Sequence, residues 1–364
     1  MMEGTARAWD LVLAGGRLID LHTHVYWLGN TSSVDPIGAA AASAATTLVD
    51  AGSTGAGTFA GFRAHVVERT PYRVLAFLNI SFAGIIGALG RVDFPEAGDV
   101  RLLHAWEAVR LARQYPEVIR GIKVRLGRHG SGDLGTTALR LAQEAAEILG
   151  LPVMAHIDDP PPRVADVLGL LRPGDVLTHA FRAEPNCLLT EGGQVRPEAR
   201  EARARGVVFD VGHGFRMLSL DVIRRLLDQG FPPDTVSTDI YRVSAVRSDV
   251  TLPAILSKLM AVGVSLPGAI RSVMDRPARV LGFGGRLGTL ETGAEADVAV
   301  FRLREGERVF RGMPESVLEA EGRERRAEEQ VLGRQWLEPV HLVVGGRLMG
   351  TVAEPDRDPA GAHA

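Results

Sequence analysis

The chain has 364 residues, of which 46% are hydrophobic, and a formal net charge of -3 at pH 7. This composition is that of a folded globular protein without the basic excess that favours nucleic acid, and the single cysteine, Cys187, excludes a disulfide framework and argues against a thiolate metal cluster. The N-terminal MMEGTARAWDLVLAGG lacks the apolar core of a secretory signal, and no apolar run reaches the length of a membrane span, so we expect a soluble cytoplasmic protein.

Short apolar runs alternate with helix-like segments along most of the chain. The runs are LIDLHTHVYW (18–27), TTLVDAG (46–52), YRVLAFLNI (72–80), IRGIKVRL (119–126), LPVMAHI (151–157), DVLTHAF (175–181), GVVFDVGH (206–213) and TVSTDIY (235–241). Helix-like segments between them include residues 136–149 and 219–230. Strands that alternate with helices predict a parallel sheet, and eight such units match a (β/α)8 barrel of the TIM type. A doubly wound open sheet is the structural alternative.

The composition changes after the last helical pattern. Residues 285–301 and 339–351 are strand-like and punctuated by glycine, and the charged stretch 303–333 between them is typical of a solvated helix or loop. The N-terminal DLVLAGGRL is also strand-like. The predicted α/β architecture has three parts: a small β-sandwich-like domain formed by both chain ends (1–17 and 283–352), the barrel (18–282) and a disordered tail (353–364).

Side chains that can bind metal lie near the C-terminal ends of the predicted strands. They are His22, His24, Lys123, His156, His179 and Asp239. Side chains alternate along a strand, so His22 and His24 point to the same face, and the C-terminal strand ends are where TIM barrels build their active sites. A lone strand histidine is more often a core residue than a ligand, but this shared position favours a site for zinc or a related divalent ion. His65, His104 and His341 lie outside the pattern and are expected to bind no metal.

Lys123 has two interpretations. It lies between Ile122 and Val124 in a predicted strand, where burial and nearby positive charge would lower the pKa of its amine. A neutral amine can add CO2 and become a carbamate, whose two oxygens could bridge two metal ions. Alternatively, the side chain extends to solvent or pairs with an acid. The residues alone leave both interpretations open.

The motifs DLHTHVY, IKVR, MAHI, THAF, FDVGHG and STDIY together resemble the amidohydrolase superfamily, and most closely its deacetylase-like metallohydrolase branch, a relative of dihydroorotases and hydantoinases. The resemblance covers residues 10–301. It implies two divalent ions with these ligands: His22, His24 and Asp239 for the more buried ion, His156 and His179 for the second, and carbamylated Lys123 with a hydroxide as bridges. The segment before the HTH strand is shorter than the family usually has, which implies an abridged β-domain.

The resemblance also implies catalytic and substrate-binding roles. Asp239 is the implied proton acceptor and donor, and His213 in GHG matches a motif near the substrate. The other candidate substrate contacts are Arg125, Arg182 and Tyr241, of which the arginines could pair with a substrate carboxylate or could simply be solvated.

The chemistry of such a site predicts a hydrolase. Divalent cations lower the pKa of a bound water to about 7, polarise the substrate carbonyl and stabilise the oxyanion, while a carboxylate carries the proton to the leaving group. We therefore predict a binuclear metal-dependent hydrolase, with zinc favoured, that cleaves an acyl amide or ester of a small molecule, deacetylation being the favoured reaction. A cyclic amide hydrolase and a non-catalytic barrel scaffold are the alternatives. We expect neither a nucleic-acid nor a membrane partner, and a homo-oligomer is compatible with the sequence.

Overall fold

The computed structural model describes residues 11–15, 17–87, 95–215, 217–247, 249–284, 292, 295–312 and 329–351. The tail predicted at 353–364 lies outside these residues, as does most of the first predicted segment, 1–17. No helix in the described ranges is both long enough and apolar enough to cross a membrane.

Strands and helices alternate through the first two thirds of the chain, as the apolar runs predict. The strands are β1 (Leu11–Gly15), β2 (Ile19–Thr23), β3 (Thr47–Gly55), β4 (Arg73–Asn79), β5 (Ile119–Leu126), β6 (Val153–Ile157), β7 (Val176–Thr178), β8 (Val208–Phe209), β9 (Val298–Arg311), β10 (Gln330–Val344) and β11 (Arg347–Thr351). The α-helices are α1 (Pro36–Ser43), α2 (Phe59–Phe62), α3 (Ala105–Gln114), α4 (Thr137–Leu149), α5 (Val164–Leu170), α6 (Pro197–Arg205), α7 (Leu220–Leu227), α8 (Leu252–Ala261), α9 (Leu266–Arg271) and α10 (Asp275–Val280). A π-helical turn at Arg63–Val67 follows α2.

Strands β2 to β8 form one parallel sheet in chain order. The eighth predicted strand, 235–241, lies between the two edges of this sheet: Thr235 forms a bridge with Asp210 after β8, and Ile240 forms one with Thr23 of β2. These bridges close the sheet into a barrel, so the predicted TIM-type fold is confirmed and the open-sheet alternative is wrong. The eighth strand is irregular, because it pairs through isolated bridges rather than a continuous ladder.

The barrel interior changes from apolar to polar along the strands. One buried apolar cluster gathers alternate residues of the strands with two residues from α10 and its end: Ile19, Leu21, Val49, Ala51, Leu75, Phe77, Met154, Val176, Ala278 and Leu281. Because side chains alternate, His156 faces the same side as Met154, and Thr178 the same side as Val176. The polar residues thus follow the apolar layer towards the C-terminal strand ends, and this layer positions the candidate site.

The two chain ends meet in a four-stranded antiparallel sheet of order β1-β9-β10-β11. Residues 303–311 and 330–333 belong to β9 and β10, so the helix or loop predicted for these parts of 303–333 is wrong, and residues 313–328 lie outside the described ranges. Charged side chains pair across this hairpin, as Arg304 Nε does with Glu338 Oε2 at 2.6 Å, which allows a charged sequence to form exposed strands. The predicted domain limits stay predictions.

Candidate functional site

His22, His24 and Asp239 converge at the C-terminal end of the barrel. The Nε2 atoms of His22 and His24 lie 3.3 and 3.1 Å from Asp239 Oδ1, and one ligand atom from each residue lies within 4.8 Å of the other two. The backbone N–H of Asp239 donates to His22 O at 2.7 Å. The closing strand therefore brings the carboxylate to the two imidazoles, and these three residues form a group that could hold a metal ion.

Two of the predicted metal ligands, His179 and Asp239, have a left-handed backbone conformation. His179 has φ 61° and Asp239 has φ 47°, in the left-handed region that costs an ordinary residue about 1–2 kcal/mol. Such conformations cluster at active sites, where the surrounding structure holds them. The strained turns at the ends of β7 and the eighth strand aim both side chains into the barrel mouth.

Lys123 is completely buried in β5, with Nζ 3.4 Å from His22 Nε2. Burial lowers the pKa of its amine to about 7, against the opposing effect of Asp239. Gly52, at φ 85°, leaves room for the side chain, because a Cβ there would lie 2.6 Å from Lys123 Cγ. The interpretation of Lys123 as a solvent-exposed lysine is wrong. The amine is partly neutral near pH 7, which is the form that adds CO2.

His156 and His179 lie beside the first three residues. Their ring centroids are 4.5 Å apart, edge to face, and His179 Nε2 is 4.0 Å from Asp239 Oδ2. His179 Nδ1 is 2.7 Å from Gly212 O, and a carbonyl only accepts, so Nδ1 carries the proton and Nε2 keeps a free lone pair. His156 Nε2 lies 3.4 Å from Asp158 Oδ2.

The residue set fits a divalent ion. Burial is the main cause that holds the pKa values of His22, His156 and His179 well below the ordinary value, and the neutral imidazole is the form that binds metal. His179 Nε2 is buried and has no hydrogen-bond partner, a situation that costs about 1–3 kcal/mol in a protein interior. An ion would satisfy this lone pair and the oxygens of Asp239.

His213 is placed differently from the four histidines of the candidate metal site. Its Nδ1 lies 2.7 Å from Gly214 O and its Nε2 lies 3.0 Å from Lys258 Nζ. Lys258 is buried on α8 and donates to Asp249 Oδ2 at 2.8 Å. Both ring nitrogens of His213 are therefore occupied by the protein, which ties the 212–214 loop to α8.

The other candidate substrate contacts lie around the mouth. Arg125 pairs with the buried Glu96 at 2.9 Å. Arg182 donates to Ile157 O at 3.1 Å and pairs with Asp159, in the loop after β6, at 3.1 Å. The ring of Tyr241 is half-buried, 6.4 Å from that of His24. The interpretation of the arginines as solvated loop residues is wrong, because both are largely buried and ion-paired.

The site is supported by buried residues that were not predicted from the sequence. They are Asp20, Asp50, Asp158, Asp210, Thr178, Glu96, Lys258 and Asp249. Asp20 is an example: it is fully buried, accepts from the backbone N–H and the hydroxyl of Thr238 at 2.9 and 2.6 Å, and burial raises its pKa to about 7. A carboxylate inside an apolar run, as in LIDL, LVDAG and VFDVG, was the available signal, since buried acids are rarely without partners.

Comparisons with known proteins identify the family. The model of the amidohydrolase family matches residues 11–319. A deacetylase from Brucella anthropi is 33% identical over 285 residues, which are 78% of this chain and 70% of the relative. A solved structure of an adenine deaminase has a TM-score of 0.85 at 27% identity and covers 96% of this chain and 92% of its own. A dihydroorotase structure has a TM-score of 0.81 at 28% identity, with 92% and 85% covered. This chain therefore belongs to the amidohydrolase family of hydrolases.

Proposed function

We propose that this chain is a binuclear metal-dependent hydrolase that removes an acyl group from an amide or ester, with deacetylation as the reaction and zinc as the favoured metal. The observation that carries the proposal is the convergence of His22, His24 and His179 on Asp239 beside a fully buried lysine. The deacetylase relative supports the reaction class. His22, His24 and Asp239 would hold one ion and His156 and His179 the other, with Lys123 as a carbamate between them.

Lys123 is suited to carbamate formation. Its neutral nitrogen would attack the carbon of CO2 and form an N–C bond, and the proton that the nitrogen loses would pass to solvent. A neutral amine would thereby become an anion with two oxygens. The pKa of about 7 leaves a fraction of the amine neutral at physiological pH. The space beside Gly52 admits the side chain.

Asp239 is the residue best placed to move a proton. When bound, the ions would lower the pKa of a water molecule and polarise the substrate carbonyl. Asp239 Oδ1 faces His22 and His24, and Oδ2 faces His179. Its carboxylate would take the proton of the attacking water and deliver it to the leaving nitrogen or oxygen, as general acid–base catalysis requires.

Substrate binding belongs to the residues around the mouth. Arg125 and Arg182 both lower the pKa of His156 through their charge, so they lie close enough to add positive potential on that side of the site. We assign them, with Tyr241 beside His24, to binding a small-molecule substrate. His213, with both nitrogens occupied, would act by holding the loop beside the substrate.

A cyclic amide hydrolase is the second candidate, because the dihydroorotase structure superposes with a TM-score of 0.81. Metal per chain is measured first, by elemental analysis of the purified protein. The metal-replete enzyme is then assayed with acetylated amino acids and acetylated hydroxy acids, and with dihydroorotate and hydantoins. We expect two ions per chain and turnover of the acetylated compounds. Turnover of only the cyclic amides would favour the second candidate, and absence of metal together with no gain on adding zinc, manganese or cobalt would overturn both.

A further inference from the structure

Thr178, at the end of β7, connects His22 to a buried carboxylate. His22 Nδ1 lies 2.9 Å from Thr178 Oγ1, and this hydroxyl donates to Asp210 Oδ2 at 2.8 Å. The side chains of Thr178 and Asp210 are fully buried and His22 nearly so. Nothing in the proposed reaction uses Thr178 or Asp210 directly, so their burial beside His22 calls for another role.

The direction of these hydrogen bonds determines where the proton of His22 lies. A threonine hydroxyl has one hydrogen, and that of Thr178 is directed to Asp210. Thr178 Oγ1 can therefore only accept from His22, so Nδ1 of the imidazole carries the proton. The opposite nitrogen, Nε2, keeps its lone pair and faces Asp239 Oδ1 and Lys123 Nζ.

The surroundings prevent the Thr178 hydroxyl from turning away. Gly212, at φ 49°, packs so closely that a Cβ there would lie 2.3 Å from Thr178 Oγ1. Asp210 is itself fixed by two more hydroxyls, because Thr235 donates to its Oδ1 at 2.8 Å and Ser237 to its Oδ2 at 2.7 Å. Three donors directed at one buried carboxylate leave it as an acceptor, and a satisfied buried network of this kind is rigid.

We propose that Thr178, held by Asp210, is a positioning residue that fixes His22 as the Nδ1-protonated tautomer and so keeps its Nε2 ready to bind an ion; the inference rests on the metal site of the proposed function. Partners of this kind fix the tautomer and ring orientation of metal-binding histidines, and their loss lowers metal affinity by about 10–100-fold. Without the hydroxyl, the imidazole could exchange tautomers and turn its protonated nitrogen towards the site.

The test uses three variants that differ in one group each. Thr178→Val keeps the shape and removes the hydroxyl, Thr178→Ser keeps the hydroxyl, and Thr235→Val removes a different hydroxyl from the same carboxylate without touching His22. Zinc affinity is measured by titrating each metal-free protein against a competing chelator, and stability by denaturant unfolding. We expect Thr178→Val to lose about 10–100-fold in zinc affinity, Thr178→Ser to stay within a few-fold of the parent, and Thr235→Val to lose stability without losing affinity.

Equal zinc affinities in the parent and Thr178→Val, or equal losses in Thr178→Val and Thr235→Val, would overturn the inference. A second measurement needs neither a variant nor a metal: the ¹⁵N shifts of histidine-labelled, metal-free parent report which nitrogen of His22 carries the proton. Protonation at Nδ1 supports the inference, and protonation at Nε2 overturns it. A parent chain that binds no zinc would instead refute the proposed function, while the ¹⁵N measurement would still decide the role of Thr178.

Discussion

The candidate site has two halves that are held in different ways. In the first half, His22 and His24 face one oxygen of Asp239 at 3.3 and 3.1 Å, and hydroxyls of Thr178 and Ser53 lie 2.9 Å from their Nδ1 atoms. The two hydroxyls hold the imidazoles with their Nε2 atoms turned towards Asp239. Contacts within the protein therefore orient this half, and in the proposed function it would be preorganised for one of the two ions.

In the second half, the imidazoles do not share a carboxylate at hydrogen-bond distance. His179 Nε2 is 4.0 Å from Asp239 Oδ2 and has no hydrogen-bond partner, and His156 is turned towards Asp158 through its Nε2. The lone pair of His179 Nε2 has no donor, so an ion would stabilise this half more than the first. The difference indicates that the first half is preorganised and that the second depends more on the group at Lys123.

Lys123→Ala tests the connection between the halves and should have the largest effect. Without a carbamate the two cations would face each other with no anion between them, and we expect kcat/KM to fall about 10,000-fold because most of the metal contribution is lost. Added acetate or propionate should enter the vacated space, supply two carboxylate oxygens and restore part of the activity when metal is present.

The control is Lys123→Arg, which keeps the charge and fills the space, so it should not respond to added acid. The parent enzyme should not be stimulated by acetate either. Activity of Lys123→Ala that is unaffected by both metal and acid, or a neutral-pH structure with a bare ammonium beside two bound ions, would show that the halves are not joined in this way.

Asp239 belongs to both halves, and Asp239→Asn should separate its role in metal binding from its role in proton transfer. An amide oxygen can still bind an ion beside His22 and His24, but it cannot carry a proton at neutral pH. We expect kcat to fall about 1,000-fold with much of the metal retained and little change in KM, since proton transfer acts in the transition state. Near-full kcat in this variant would assign the proton transfer to another acid.

Sequence rules were sufficient to choose the residues that converge. The HTH pair was found because strand side chains alternate, and the remaining histidines, Lys123 and Asp239 because TIM barrels place chemistry at the C-terminal strand ends. Both rules act within a few residues of one strand. The structure brings all six residues together, while their roles stay a proposal.

The partners of the supporting residues could not be predicted, because they depend on contacts between distant parts of the chain. Thr178 and His22 are 156 residues apart, and Lys258 and His213 are 45 apart. Nothing local distinguishes Lys258, in the apolar pattern of α8, from a lysine that extends to solvent. The left-handed backbone of Asp239 is likewise imposed by the closure of the barrel, since aspartate alone prefers φ below zero.

The charged stretch at 303–333 shows that the fold, too, could not be predicted completely from local sequence. Its composition favours a solvated helix or loop, yet the described parts of it extend β9 and β10. Cross-strand partners decided the outcome, because Leu303 lies opposite Leu337 and Arg304 pairs with Glu338. A pattern read along one strand contains no information about the strand that will lie beside it.

His213 provides a third test, because the 212–214 loop packs against both halves. A Cβ on Gly212 would lie 2.8 Å from His179 Nδ1, and one on Gly214 would lie 2.5 Å from Asp239 Oδ2.

Burial, followed by the charge of Lys258, lowers the pKa of folded His213 from 6.5 to about 3. Below pH 6.5 the unfolded chain therefore binds a proton that the folded chain does not, and stability falls with pH until about 3. We expect this residue alone to remove about 2 kcal/mol between pH 6.5 and 5.

The measurement is denaturant unfolding of the metal-free protein at pH 7 and pH 5. His213→Gln does not titrate, so its loss of stability between these pH values should be smaller than that of the parent by about 2 kcal/mol, whatever its stability at pH 7. His65→Ala, at an exposed position on the π-helical turn, should change the loss very little. Identical pH dependence in the parent and His213→Gln would mean that burial and the charge of Lys258 do not hold His213 neutral.

Asp158→Asn should have the smallest effect and should be confined to the second half. Asp158 is buried, and its Oδ2 faces His156 Nε2 at 3.4 Å, so an ionised carboxylate would hold the proton on Nε2 and leave Nδ1 as the ligand atom. A neutral amide holds that proton less well, and we expect the weaker of two zinc affinities to fall about 10-fold while the tighter one is unchanged. Asp159→Asn is the matched control, because the neighbouring carboxylate is partly exposed and pairs with Arg182 instead. A loss at the tighter site, or equal losses in the two variants, would mean that the halves are not held independently.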